Sequence, residues 1–276
     1  MNSRLLRVFR RAGLRFSAEG ATFMAPAIAY NVLFASIPLT LVGVAVLASI
    51  YGDDVSIARA KVAIHEYAPQ IEDLVTQNLQ VIVRYRGLTG VLGFLALIWS
   101  GKNLFQALIY ALNRALGISR YRHFVWDIII AIALVPAVGV VLIVATALPV
   151  VITLFVQFAH LESLRWLPQI ASYATSLALV FVVAALLYAY LPNRRPAWKP
   201  VLIGAAVSAV GYSLAQIAFA VYTSYAAYAF AIYGALSALF VLLLWLDYIG
   251  MIFLFGAFVS AAWESEAENA TLPLAS

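Results

Sequence analysis

Two charged side chains stand where charge is costly. Lys102 follows fifteen uncharged residues (87–101), and Asp247 ends a run of 47 residues (200–246) without Asp, Glu, Lys or Arg. At the centre of a membrane helix such a group costs at least ~2.5–3.5 kcal/mol. Trp99, Gln106 and Asn113 share the helical face of Lys102, at offsets of three, four and eleven. A polar stripe of this kind is expected to face the interior of a bundle or a wet cavity. The plainer reading is that the lysine stem reaches an interface and only helps packing. Asp247 is too short to reach an interface, so it must be paired, hydrated or protonated. Its plainer reading is a neutral, hydrogen-bonded structural acid. Counted from helix ends near 88 and 234, the two residues lie within about 2 Å in depth at 1.5 Å rise per residue. We therefore expect them to interact, directly or through water. Asn31 is a further polar candidate within an apolar segment.

Other chemistry is thinly represented. Cysteine is absent, and the three histidines (His65, His123, His160) lie in three different connecting regions with no metal-ligand spacing. We expect no metal site and no cofactor. Nuclease chemistry uses carboxylate or histidine clusters around metals, or a histidine acid–base pair, and the sequence presents neither. The expectation is a protein that is not an enzyme.

Basic residues point to lipid headgroups. Arg194 and Arg195 form a turn whose guanidinium forks suit phosphate. Arg7 and Arg11 belong to an N-terminal segment that puts Leu5, Val8, Phe9, Ala12 and Phe16 on one helical side, a pattern for an anionic membrane surface. In both places the alternative is a topogenic charge cluster with no further role. Tyr222, Tyr225, Tyr228, Phe230 and Tyr233 surround a turn where an aromatic belt explains them as well as headgroup stacking does. No loop is long enough to build a nucleic-acid groove.

The elements that must position these residues follow from where charge is missing. The chain has 276 residues, 65% hydrophobic and 11% charged, with mean hydropathy +0.97. Soluble domains are roughly 45–50% apolar and about 25% charged. Besides 200–246, residues 20–52, 128–161 and 166–193 carry no charge. A hydrocarbon core about 30 Å thick takes roughly 20 apolar residues per helical crossing. The expected fold is all-α, a polytopic transmembrane bundle of about six crossings: 24–50 (with Pro38 inside), 87–113, 126–158, 169–191, 200–222 and 234–262. Its parts are a basic N-terminal segment (1–19), the membrane domain (20–263) and an acidic tail (264–276). Within the domain, 51–86 is a hydrophilic segment holding an amphipathic helix, with Ile71, Leu74, Val75, Leu79 and Ile82 in helical register. The N-terminal apolar run far exceeds the about 7–15 residues of a signal peptide, so the first helix is expected to be retained.

Lysine and arginine set the orientation. Eleven fall on the side holding the N-terminus and the 114–123 and 194–199 loops, against five on the other. The first side is expected to be cytoplasmic, with both termini inside. Trp126, Trp166, Trp198 and Trp263 mark interfaces, while Trp99 and Trp245 fall mid-span as packing residues. No internal repeat is evident.

Ala27-Ile28-Ala29-Tyr30-Asn31, Phe34 and Pro38-Leu39 open a pattern that continues with Trp99-Ser100 and Ala111-Leu112-Asn113. Tyr190-Leu191-Pro192-Asn193-Arg194-Arg195, Trp198 and Gly204 follow, then Tyr233-Gly234, Trp245 and Gly256-Ala257. In this order and at these spacings the chain, over about residues 20–262, resembles the YihY/BrkB family of bacterial inner-membrane proteins. The resemblance implies a membrane-embedded helical fold in the inner membrane. It attaches weight to Tyr30, Pro38, Trp99, Asn113, Pro192, Asn193, Arg194, Gly204, Tyr233, Gly234 and Gly256. That family has carried a ribonuclease label and links to serum resistance and to envelope lipid or solute handling. Two departures stand out: Phe258 where many relatives have an acid after Gly-Ala, and Ala35 where serine is usual, with Ser36 one place later. The reading that results is an inner-membrane protein, not an enzyme, that moves or organises a small or lipid-like substrate. The rival is a non-transporting structural or accessory envelope protein, and either could form an oligomer.

Overall fold

The structure, a computed structural model, describes residues 2–51, 85–119, 124–158, 167–231 and 236–271. Among the described residues every regular element is an α-helix: α1 (Asn2–Ala18), α2 (Ala21–Tyr51), α3 (Arg86–Leu116), α4 (Phe124–Phe158), α5 (Leu167–Tyr190), α6 (Trp198–Ala231) and α7 (Leu236–Thr271). Five of them hold stretches long and apolar enough to cross a membrane: Ala21–Gly43, Gly90–Leu116, Pro168–Tyr190, Trp198–Thr223 and Leu239–Ala267. The remaining long helix, α4, runs 35 residues with Asp127 as its only charge. The architecture is thus the all-α membrane bundle, with about six crossings. The amphipathic helix expected within 51–86 lies outside the described residues, as do Tyr233, Gly234 and Trp166.

Helix ends follow local chemistry. Gly117 closes α3 at φ 67°, a left-handed conformation that glycine adopts without steric cost. Ile118 N–H then donates to Asn113 O (2.8 Å) and Gly117 N–H to Arg114 O (3.2 Å), which is a complete Schellman cap. Gly20 (φ 71°) likewise takes the left-handed conformation between α1 and α2, with its N–H donating to Ser17 O. Pro192 stops α5, and Pro200 sits in the first turn of α6, where no hydrogen bond is lost. In α2 the hydroxyls of Ser36 and Thr40 donate to Leu33 O and Ser36 O on either side of Pro38.

Two compact units arise. The first comprises residues 1–25, 105–218 and 248–276. In it α4 and α5 pack against one another. Helix α1 lies on the last half of α7: Val8 and Ala12 are fully buried, and Phe9 and Phe16 pack on Phe255 at 6.3 and 5.9 Å. Phe258 takes the edge of Phe16 at 5.7 Å and so helps build the seat of α1. The final helix continues to Thr271, which puts Glu264 and Glu266 on ordered helical turns.

The second unit comprises residues 26–104 and 219–247. Gly93 lets α2 and α3 approach closely; a methyl there would lie 3.3 Å from Leu41 Cβ. Trp245 stacks on Phe219 at 4.6 Å, as a packing residue should. Trp99 does not: it is 66% exposed.

Candidate functional site

Residues far apart in sequence meet in the first unit. The Schellman cap that consumes the Asn113 carbonyl leaves its side chain pointing off the end of α3, where Oδ1 accepts the Asn193 N–H (2.9 Å). Asn113 is buried, so this bond satisfies a backbone donor that the break at Pro192 leaves without a helical partner. Arg194 donates to Glu264 on α7. The other oxygen of Glu264 accepts the Ala197 N–H at 3.5 Å, placing negative charge at the start of α6, where the helix dipole favours it.

One turn deeper, α6 and α7 touch through glycine. A methyl on Gly204 would lie 2.5 Å from Gly256 O and 2.8 Å from Ser260 Cβ. One on Gly256 would lie 2.6 Å from Gly204 O and 2.8 Å from the Tyr188 hydroxyl, and would overlap Ser208 Oγ. The buried Tyr188 hydroxyl bonds Ser208 Oγ (2.7 Å) and donates to Phe253 O, joining α5, α6 and α7. Two further ion pairs tie in α1: Arg7–Glu266 (3.6 Å) and Arg114–Glu19 (2.7 Å). This knot gathers Asn113, Pro192, Asn193, Arg194, Gly204 and Gly256 from the recognised pattern. Its interior is close-packed.

The stripe on α3 is covered by protein only in part. Trp99, Lys102 and Gln106 are exposed, and Asn113 alone is buried. The periodicity placed these residues correctly on one face, but most of that face is not enclosed by protein. Asp247 Oδ1 is buried without a hydrogen-bond partner, and among the described residues no ion pair joins Asp247 to Lys102. Of the two forms of contact expected, direct or through water, the direct ion pair is not formed. Tyr30 is half exposed and stacks on Phe34 at 4.7 Å, while Asn31 donates to Ala27 O and so satisfies itself within α2. Of the headgroup candidates, Arg7 and Arg194 are engaged by glutamates, whereas Arg11 and Arg195 are exposed.

A groove of about 580 Å³ opens between α4, α5 and α6. Gln169, Ser172, Tyr173 and Ser176 line it from α5, Thr153 from α4 and Gln216 from α6. Thr153 Oγ1 donates to Pro149 O (2.8 Å), and Gln216 Nε2 donates to the Tyr212 hydroxyl (3.2 Å). The signal for this site was present in the sequence: positions 169, 172, 173 and 176 fall at i, i+3, i+4 and i+7, one helical face. No charged residue marks that face, so nothing draws attention to it as Lys102 does to α3. Among the described residues no three His, Cys, Asp or Glu side chains gather where a metal could bind.

The profile described as virulence factor BrkB matches residues 12–275. A UPF0761 membrane protein of Coxiella burnetii is 27% identical over 263 residues, 89% of either chain. A Bacillus subtilis protein named ribonuclease-like, YfkH, is 25% identical over 210 residues, 72% of this chain and 74% of its own. A UPF0761 membrane protein of Vibrio cholerae is 32% identical over 99 residues, 36% of this chain and 31% of its own. No solved structure matches the chain. With a profile match spanning nearly the whole chain and helices apolar enough to cross a bilayer, this membrane protein belongs to the virulence factor BrkB family.

Proposed function

We propose that the protein resides in the bacterial inner membrane with both termini cytoplasmic and moves or presents a substrate with a polar head. It catalyses no hydrolysis. The observation that carries this reading is the groove between α4, α5 and α6, a polar wall in helices otherwise built of apolar residues. Polar groups facing hydrocarbon without partners cost several kcal/mol each. Such a face persists where water or a polar ligand meets it. With the positive-inside orientation, the groove lies towards the outer leaflet, at the starting turns of α5.

The test is reconstitution of the full chain into phosphatidylcholine vesicles with fluorescent headgroup-labelled lipids, read by quenching from outside. Protein-dependent movement between leaflets supports the reading. Vesicles that behave like protein-free controls, for lipids and for small solutes alike, count against it.

A second reading, a structural or accessory envelope protein, draws on α3. Its exposed Trp99, Lys102 and Gln106 form a stripe suited to a helix of another protein or a second copy. On that reading a substitution on the stripe would change the assembly state and leave the groove unaffected.

A further inference from the structure

The chemistry of the groove names a class of ligand, an inference that rests on the transport reading above. Among the described residues its polar wall carries no charge: two glutamines, two serines, a threonine and a tyrosine. Amides offer donors and an acceptor together, and hydroxyls offer either, which is the complement of another array of hydroxyls. Among the described residues no guanidinium or ammonium lines the groove to take a phosphate, and no carboxylate lines it to take an amine. The Tyr173 ring is 70% exposed beside these groups. A flat apolar ring with a polar tip suits the C–H face of a sugar while the neighbouring amides reach its hydroxyls. Pro149, Val150 and Pro168 complete the lining with apolar surface, where the first carbons of an acyl chain would lie. The volume falls within the roughly 300–1,000 Å³ of small-molecule sites.

We infer that the α4–α6 groove binds the uncharged, hydroxyl-rich head of a sugar or polyol, alone or carried on a lipid. Binding is selective against phosphate heads, because burying a phosphate charge against neutral donors leaves it without a counter-ion.

The test uses the full chain in lauryldimethylamine oxide, since a sugar detergent would compete for the site. Native mass spectrometry reads binding of diglucosyl diacylglycerol, of diacylglycerol with the same chains and of phosphatidylglycerol with the same chains. Diglucosyl diacylglycerol is expected to bind at least about tenfold tighter than either comparator, the advantage of several neutral hydrogen bonds. Gln169→Leu and Gln216→Leu should each weaken it about three- to tenfold and leave diacylglycerol unchanged. Should either variant fail to fold, Ser172→Val removes one exposed hydroxyl and carries the same expectation. Free maltose that competes identifies the head alone as sufficient; maltose that does not compete assigns the lipid-borne form. Equal binding of the three lipids, a preference for phosphatidylglycerol, or leucine variants that bind like the parent would overturn the inference. Sugar-lipid binding without leaflet movement in vesicles would contradict transport while upholding the ligand class.

Discussion

Replacing Gly256 by alanine tests the α6–α7 contact at its tightest point. The added methyl would overlap Ser208 Oγ and lie 2.6 Å from Gly204 O and 2.8 Å from the Tyr188 hydroxyl. Backbone cannot yield as a side-chain tip can, so the helices must part. Overpacking of this kind costs about 1–3 kcal/mol. Displacing the Tyr188–Ser208 bond, 2.7 Å in the parent, adds about 1 kcal/mol. Alanine's better helix propensity returns about 0.5–1 kcal/mol. The net loss is about 1–3 kcal/mol, a fall of about 3–9 °C in melting temperature for a chain of this size. Gly101→Ala is the control, because a methyl there meets nothing within 4 Å. Melting followed by fluorescence-detected size exclusion in one detergent reads both. Gly204→Ala combined with Gly256→Ala should cost less than the two singly, since one separation relieves both clashes. A Gly256→Ala protein melting with the parent and with Gly101→Ala would refute the reasoning.

Tyr188→Phe leaves Ser208 and the Phe253 carbonyl short of a partner in a buried site and should cost about 1–3 kcal/mol by the same melting assay. Arg194→Ala breaks a pair whose arginine is half exposed, so the loss should stay below about 1 kcal/mol and shrink in high salt. Because no ion pair joins Lys102 to Asp247, Lys102→Leu and Asp247→Leu should combine additively within about 0.5 kcal/mol. A double variant more stable than either single one would restore the pairing. Cysteine at Thr76 should react with an impermeant thiol reagent in spheroplasts and cysteine at Ser119 should not; the reverse would invert the proposed orientation.

The helices were legible because hydrocarbon excludes charge. The gap at 20–52 delimits α2 (Ala21–Tyr51), and that at 166–193 brackets α5 (Leu167–Tyr190). What resisted was the direction each face looks. The offsets of Trp99, Lys102 and Gln106 show that they share a side of α3, but only packing tells whether that side is covered. Glu264 and Glu266 read as part of an acidic tail; the structure uses them as partners of Arg194 and Arg7. Long-range meetings such as Asn113 with Asn193 leave no local pattern. Asn113 stood out by its place on the Lys102 face and Asn193 only through family resemblance, and neither signal supplies their contact.

The central claim, that the α4–α6 groove engages a polar-headed substrate, is tested most directly by photocrosslinking in living cells. A benzophenone side chain replaces Val150, which lines the groove, or Val140, exposed on α4 but outside the groove lining. The account predicts that Val150 captures a discrete lipid or glycan species, identified by mass spectrometry, that Val140 does not, and that Gln169→Leu diminishes the capture. Identical bulk phospholipid adducts at both positions, unaffected by Gln169→Leu, would contradict it.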